Sequence, residues 1–207
     1  LGMSGVSKSQ VSRLCGELDE RVGAFLNRQI EGDWPYLWID ATYVKTREAG
    51  RIVSVAVIVA VGVNTDGQRE VLGLKVGASE AEPFWTEFLR SLNRRGLRGV
   101  KLVISDSHAG LVKAVREQLL GSSWQRCRVH LTRNAQDLVP RSARSMVASA
   151  IRLVFEQPSE AAARRQLDAV IDTVDPRFPR VAELLTDAEP DLLAHFAFPE
   201  THRRQIR

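Results

Sequence analysis

Cysteine is nearly absent from this sequence. Two in 207 residues exclude the disulfide framework of a small secreted domain and suit a reducing cytosol. Long apolar runs are missing too. The longest, "IVSVAVIVAVGV" at residues 52 to 63, is too short for a membrane-spanning helix, and its β-branched content reads as a buried strand. No charged-then-apolar signal segment opens the chain, so no membrane partner is expected. Internal repeats and low-complexity tracts are also lacking, which excludes a solenoid. The first residue is Leu1 rather than Met, as expected of a piece of something longer. What remains is 44% hydrophobic and 26% charged, enough for one real core with a smaller second lobe. A net charge of +4 favours an anionic partner without demanding one.

Residues 1 to 33 are polar and helical in pattern. After a glycine-bearing turn, Ser7 and Gln10 have the spacing of a capping box, and Val11, Leu14, Cys15 and Leu18 share one helical face. Lys8, Gln10, Ser12 and Arg13 point outward, and these types reach phosphates and base edges. The segment reads as the second half of a helix-turn-helix; an ordinary amphipathic helix fits the same pattern. Strand-like runs follow at 36 to 45, 51 to 63 and 69 to 77, joined by the turn residues of "REAG" and "NTDGQ". Ala81, Phe84, Trp85, Phe88, Leu89 and Leu92 then repeat at helical spacing, closed by Gly96. A strand ending at Asp106, a helix with Leu111, Val112, Val115 and Leu119, and a strand-like run at 124 to 131 complete a β-β-β-α-β-α-β order. That order predicts an α/β fold with a mixed sheet. Beyond Asn134 only helical periodicity is found, in Met146 to Phe155, Leu167 to Val174 and shorter pieces after Pro179 and Pro190.

Two aspartates interrupt this pattern. Val100, Leu102, Val103 and Ile104 lead into Asp106, and Leu37, Trp38 and Ile39 lead into Asp40. Strand-end carboxylates in an α/β sheet are where active sites are commonly built. On neighbouring strands two such acids repel unless a cation lies between them, and a divalent metal there activates water or a hydroxyl against a phosphodiester. Each has a plainer alternative: Asp40 capping a strand, Asp106 as N-cap of a helix over residues 108 to 120. Cys127 and His130 are two of the four ligands a zinc site needs, and His108, His195 and His202 have no partner spacing. Arg126, Arg128 and Arg133 lie beside the expected site and suit phosphate contacts. No serine has the strand-turn-helix setting of a nucleophile elbow.

One Asp on the first strand and another on the fourth resembles the ribonuclease-H-like fold of DDE transposases and integrases. Three longer stretches, "DATYVKTRE", "GVNTDGQREVLGLKVGASEAEPFWTEFLRSLNRRGLRGVKLVISDSHAGL" and "WQRCRVHLTRN", are similar to the Mutator-type bacterial insertion-sequence transposases. The similarity is dense over residues 36 to 134 and continues through "LLAHFAFPETHRRQIR". It implies that Asp40 and Asp106 are the first two acids of a metal-binding DDE triad holding Mg2+ or Mn2+, two ions in the complete enzyme. The third acid, a Glu, is expected beyond Arg207; Glu160, Glu183, Glu189 and Glu200 fall in the helical insertion and are not nominated. The family's Cys-x-x-His, here Cys127 and His130, is expected to shape the site. His108 approaches the metal or a phosphate, or is a packed helix-start residue. Lys8, Arg13, Arg126 and Arg128 are the expected DNA contacts. Arg203 stands where the family usually carries Trp, and Leu131 where an aromatic is common.

The resemblance divides the chain into the end of a helix-turn-helix region (1–33), an incomplete ribonuclease-H-like catalytic core (34–134) and an all-helical insertion (135–207). The function it implies is metal-dependent DNA strand cleavage and strand transfer on double-stranded element ends and target. A homo-oligomer on DNA, in the bacterial cytoplasm with the nucleoid, is expected to perform it. Alone, the chain is expected to be inactive for want of its third acid. The alternative is a non-catalytic DNA-binding remnant of a degraded element.

Overall fold

The computed structural model describes residue 5 and residues 7–77 and 81–207. The glycine-bearing turn expected before Ser7 falls largely outside them. Helix α1 (Lys8–Asn27) opens on the expected capping box, Ser7 Oγ accepting from the Gln10 amide and Gln10 Oε1 from the Ser7 amide. None of its residues is buried, and its apolar stripe of Val11, Leu14, Leu18 and Val22 is between 46% and 57% exposed. Its C-terminal end is tied down by Arg95, which donates to the carbonyls of Phe25 and Arg28.

The described residues form one five-stranded mixed sheet. In chain order come β1 (Tyr36–Glu48), β2 (Arg51–Val63), β3 (Arg69–Gly77), α2 (Glu82–Arg94), β4 (Leu102–Ser105), α3 (Ala109–Gln118) and β5 (Ser123–Arg126). The spatial order is β3-β2-β1-β4-β5, antiparallel across the first three strands and parallel from β1 to β4 to β5. The expected layout is therefore present. Helix α2 ends at Gly96, whose positive φ of 105° suits glycine, and a Cβ there would stand 2.6 Å from the Ile30 carbonyl oxygen.

One sheet face is covered. Leu37, Ile39, Ile58, Ala60, Leu72 and Val103 are buried with Trp85, Phe88, Leu89 and Leu92 of α2 and with Leu111 and Val115 of α3. On the opposite face Tyr36, Val63, Leu102 and Ile104 form a smaller cluster against Ile206, with Gln125 buried beside them. Strand β2 records the difference: Ala56, Ile58 and Ala60 are buried, whereas Val55, Val57, Val59 and Val61 are half-exposed. Beside them Val71 and Val76 of β3 are exposed.

The strand-like run at 124 to 131 is split. Strand β5 stops at Arg126, because its neighbour β4 ends in register at Ser105 and offers no further ladder. The amides beyond turn helical instead, Leu131 donating to the Cys127 carbonyl at the start of α4 (Arg128–Asp137). Helices α5 (Arg144–Phe155), α6 (Glu160–Val174), α7 (Pro179–Ala188) and α8 (Glu200–Ile206) follow. Helices α5, α6 and α7 bury a second core, with Val147, Ile151, Phe155, Leu167, Val170 and Leu185 among its members, while Ile206 of α8 packs on the sheet. Helix α4 crosses the position 134/135 and gives Leu131 and Ala135 to this core.

A buried amide joins the helical part to the sheet edge. Gln125 Oε1 accepts from the His195 backbone N–H at 2.7 Å and lies 3.0 Å from His195 Nδ1; Gln125 Nε2 donates to the Ile206 carbonyl at 2.9 Å. Since Oε1 is an acceptor, Nδ1 carries the imidazole proton.

Candidate active site

The last residue pair between β1 and β4 is Ile39 with Ser105, so Asp40 and Asp106 stand at the same level just beyond the paired part of two adjacent parallel strands. Both line one small cavity of about 70 Å³, together with Ile39, Ala41, Trp85, His108, Leu111 and His130. Asp40 lies inside β1 and caps nothing, and the N-cap position of α3 is His108 rather than Asp106. The plainer alternatives for the two acids therefore do not describe this geometry.

Each acid is held by one short local bond. Asp40 Oδ1 accepts from the Ala41 amide at 2.9 Å, and Asp106 Oδ1 from the Ser107 amide at 2.7 Å. Asp40 Oδ1 also stands 3.5 Å from His130 Nε2. Behind Asp106, Ser105 Oγ donates to the Asp106 carbonyl and accepts from Trp124 Nε1, and the Cys127 amide donates to the Ser105 carbonyl. These contacts fasten the strand end on which Asp106 sits.

Arg126 differs from the expected surface cation. It is only 8% exposed, and its Nε is buried without a partner. Burial lowers the guanidinium pKa, and the charges of Asp106, Asp191 and Asp187 oppose that shift. It is an interior counter-charge between the acid site and the helical part. Arg128, the first residue of α4, is half-buried; Lys8 and Arg13 are exposed on α1, with Arg13 3.7 Å from Glu17.

The two members of the Cys-x-x-His diverge. Cys127, a free thiol at the N-cap of α4, packs beside Tyr36, Leu102 and Ile104, while one turn later His130 faces Asp40 and leaves its Nδ1 buried without a partner. His108 is exposed, with its ring 6.4 Å from that of Trp85. No group of three or more His, Cys, Asp or Glu side chains fit to hold a metal occurs among the described residues. Trp85 had been legible only as a core residue; its place on the cavity wall needs the α2 packing to be known.

The whole chain, residues 1–207, matches the family described as "Transposase, Mutator family". The chain belongs to that family. It is 44% identical over 207 residues to the transposase for insertion sequence element IS1081 of Mycobacterium tuberculosis, covering 100% of this chain and 50% of the relative. It is 45% identical over 203 residues to that of IS406 of Burkholderia multivorans, with 98% and 52% covered. For the transposase of IS256 in transposon Tn4001 of Staphylococcus aureus the identity is 36% over 202 residues, with 96% and 52% covered. This Mutator-family chain thus spans about half the length of the curated relatives it matches. Among solved structures, a chain of a simian T-cell lymphotropic virus intasome in complex with a PP2A regulatory subunit is similar at a TM-score of 0.33 and 10% identity, over 78% of this chain and 49% of that one, too low to carry an argument.

Arg203 and Leu131 both have definite structural partners. Arg203 donates to the carbonyls of Phe198 and Phe196 and lies 5.4 Å above the Phe196 ring. Leu131 is fully buried in the helical core. No helix among the described residues is long and apolar enough to cross a membrane.

Proposed function

We propose that this chain is part of an insertion-sequence transposase that cleaves and transfers strands of duplex DNA, with Asp40 and Asp106 as the first two acids of a DDE triad. The observation that carries the proposal is their shared cavity just past the last paired residues of two adjacent parallel strands. The strand order and directions support a ribonuclease-H-like core over residues 34–134, preceded by the end of a helix-turn-helix region and followed by a helical insertion.

The donor set suits a hard divalent cation: two carboxylates lining one cavity, with the His130 imidazole beside Asp40. Asp40 and Asp106 would hold Mg2+ or Mn2+, two ions in the complete enzyme. The chemistry such a cation supplies is a lowered pKa for a bound water or hydroxyl and charge relief at a phosphodiester. The chain's own residues do the positioning. The β1–β4 ladder sets the spacing of the acids, the Ser105 and Trp124 bonds hold the Asp106 end, and His130 orients Asp40.

Two carboxylates leave the set one acid short, and the half-exposed valine face of β2 supports a seat for the helix that brings it. The third acid is a Glu beyond Arg207. DNA contacts come from Lys8, Arg13 and Arg128, with Arg126 acting from inside the protein, and the working form is a homo-oligomer on DNA in the bacterial cytoplasm.

The test compares this chain with one extended past Arg207 through the next helix, on duplexes carrying element ends with Mg2+ or Mn2+. Expected are no cleavage by the shorter chain, nicking by the longer one, and loss of nicking with Asp40→Ala or Asp106→Ala. Robust cleavage by residues 1–207 alone overturns the assignment of the third acid. DNA binding without cleavage by the extended chain leaves only the non-catalytic remnant.

A further inference from the structure

We infer that the projecting end of the β1–β2 hairpin is a second DNA contact, a two-stranded ribbon that enters the major groove beside the acid pair; this rests on the function proposed above. Among the described residues, strand β1 has β4 as a neighbour over residues 36–39, and β2 has β3 from Ala56 onward. Residues 44–48 and 51–55 therefore pair, among the described residues, only with each other, in five cross-strand pairs from Val44 with Val55 to Glu48 with Arg51. At about 3.4 Å per residue they make a ribbon of about 17 Å. Its root lies four residues past Asp40, and because β1 and β4 are parallel it projects beyond the end of the sheet that carries Asp106.

Nothing in the fold accounts for such a piece. Its residues are exposed or half-exposed, Ile52 as much as 70%, and a lone two-stranded hairpin is marginal in water. Its charge points to an anion. Lys45, Arg47 and Arg51 face a single acid, Glu48. Unlike Arg28, Lys75 and Arg98, which hold carboxylates, these three have no ion-pair partner among the described residues.

The shape narrows the choice of anion. Alternation sets Lys45 and Arg47 with their cross-strand partners Ser54 and Ile52 on one face, and Val44, Thr46, Val53 and Val55 on the other, where Glu48 and Arg51 pair next to the tip. The tip is only two residues wide, Ala49 and Gly50, both at positive φ (47° and 79°), as in the turns that preserve strand twist. The major groove of B-DNA, about 12 Å wide, admits a two-stranded ribbon. Inside it Lys45 and Arg47 reach phosphates at one groove lip, Arg51 reaches one from the tip, and Val44, Thr46, Val53 and Val55 meet thymine methyls.

The experiment measures duplex binding by anisotropy between 50 and 200 mM salt, for residues 1–207 and for the triple variant Lys45→Ala/Arg47→Ala/Arg51→Ala. A control removes Arg141, Arg165 and Arg180 from the helical part instead. Circular dichroism checks folding, and light scattering checks oligomeric mass. Each lost phosphate contact lowers the slope of log K against log salt by about 0.9. The ribbon variant is thus expected to lose about two to three from the slope and on the order of thirtyfold in affinity at 100 mM salt, and the control less than about one from the slope. Unchanged binding by the folded ribbon variant overturns the proposal, as does an equal loss in the control, which would mean bulk charge alone. A changed oligomeric mass with unchanged DNA binding assigns the ribbon to a protein contact and also overturns it. A wild-type chain that binds no duplex at low salt overturns the functional reading and the ribbon together.

Discussion

His130 and Asp40 meet across the acid cavity, Nε2 to Oδ1 at 3.5 Å, one from the first turn of a helix and one from the middle of a strand. The helical part thereby reaches the carboxylate that the sheet presents. In the proposed site this contact orients an acid whose side chain is otherwise 63% exposed.

Mn2+ binding by this chain should be weak and should depend on both acids. Asp40→Asn and Asp106→Asn are each expected to weaken it by at least about tenfold, the scale on which a lost ligand is felt. Because Asp40 is largely exposed, Asp40→Asn should change unfolding stability by less than about 0.5 kcal/mol. Titration followed by electron paramagnetic resonance of free Mn2+ reads the first effect, and urea unfolding the second. Binding that survives both substitutions would move the metal elsewhere.

Gln125→Leu should loosen the helical part from the sheet. The substitution leaves the His195 amide and the Ile206 carbonyl buried without partners. At about 1–3 kcal/mol for each buried orphan, a loss of about 2–6 kcal/mol is expected. Hydrogen exchange should rise in residues 189–206 more than in α2. Uniform exchange across both would show that Gln125 is not the tie.

Acid should destabilise the fold through His195. The residue is 1% exposed. Burial, reinforced by the charges of Arg207, Arg203 and Arg128 and opposed by a backbone bond to Leu192, takes its pKa from 6.5 to about 4. Unfolded chains take up the proton below 6.5 while the folded form resists it to about 4, so stability is full above pH 6.5 and falls between the two values. At about 1.4 kcal/mol per pH unit the loss approaches about 3 kcal/mol. His195→Gln should flatten this part of the pH profile of urea unfolding. An unchanged slope between pH 6.5 and 4 would show that the imidazole does not titrate with folding.

Ala49→Gly should stabilise the hairpin tip. Ala49 holds a φ of 47°, where a Cβ crowds the following carbonyl and costs about 1–2 kcal/mol. Part of that gain returns as glycine entropy in the unfolded chain, leaving on the order of 0.5 kcal/mol. A lower urea midpoint in the variant would mean that the turn is not strained.

The strands and the two acids were legible because apolar alternation and turn residues are local signals; β1, β2, β3 and α2 follow the pattern in "YLWIDATYVK", "IVSVAVIVAVGV" and Trp85–Leu92. Burial of a charged or polar residue is not a local signal. Arg126 reads as surface from its type, and only the register with Ser105 and the approach of α7 turn it inward. Gln125 and His195 read as unrelated polar residues because their contact spans 70 positions. The end of β5 was misplaced for a similar reason, since where β4 stops decides it. The stripe on α1 shows that a pattern reveals a face without revealing what lies against it.

The Gln125 tie also sets a schedule. Its amide can bond the Ile206 carbonyl only after 81 further residues have been made. At about 5–20 residues per second, that is a wait of about 4–16 s during synthesis. For that interval the outermost strand of the sheet stays open, a site at which a growing chain is exposed to misassembly or to a chaperone.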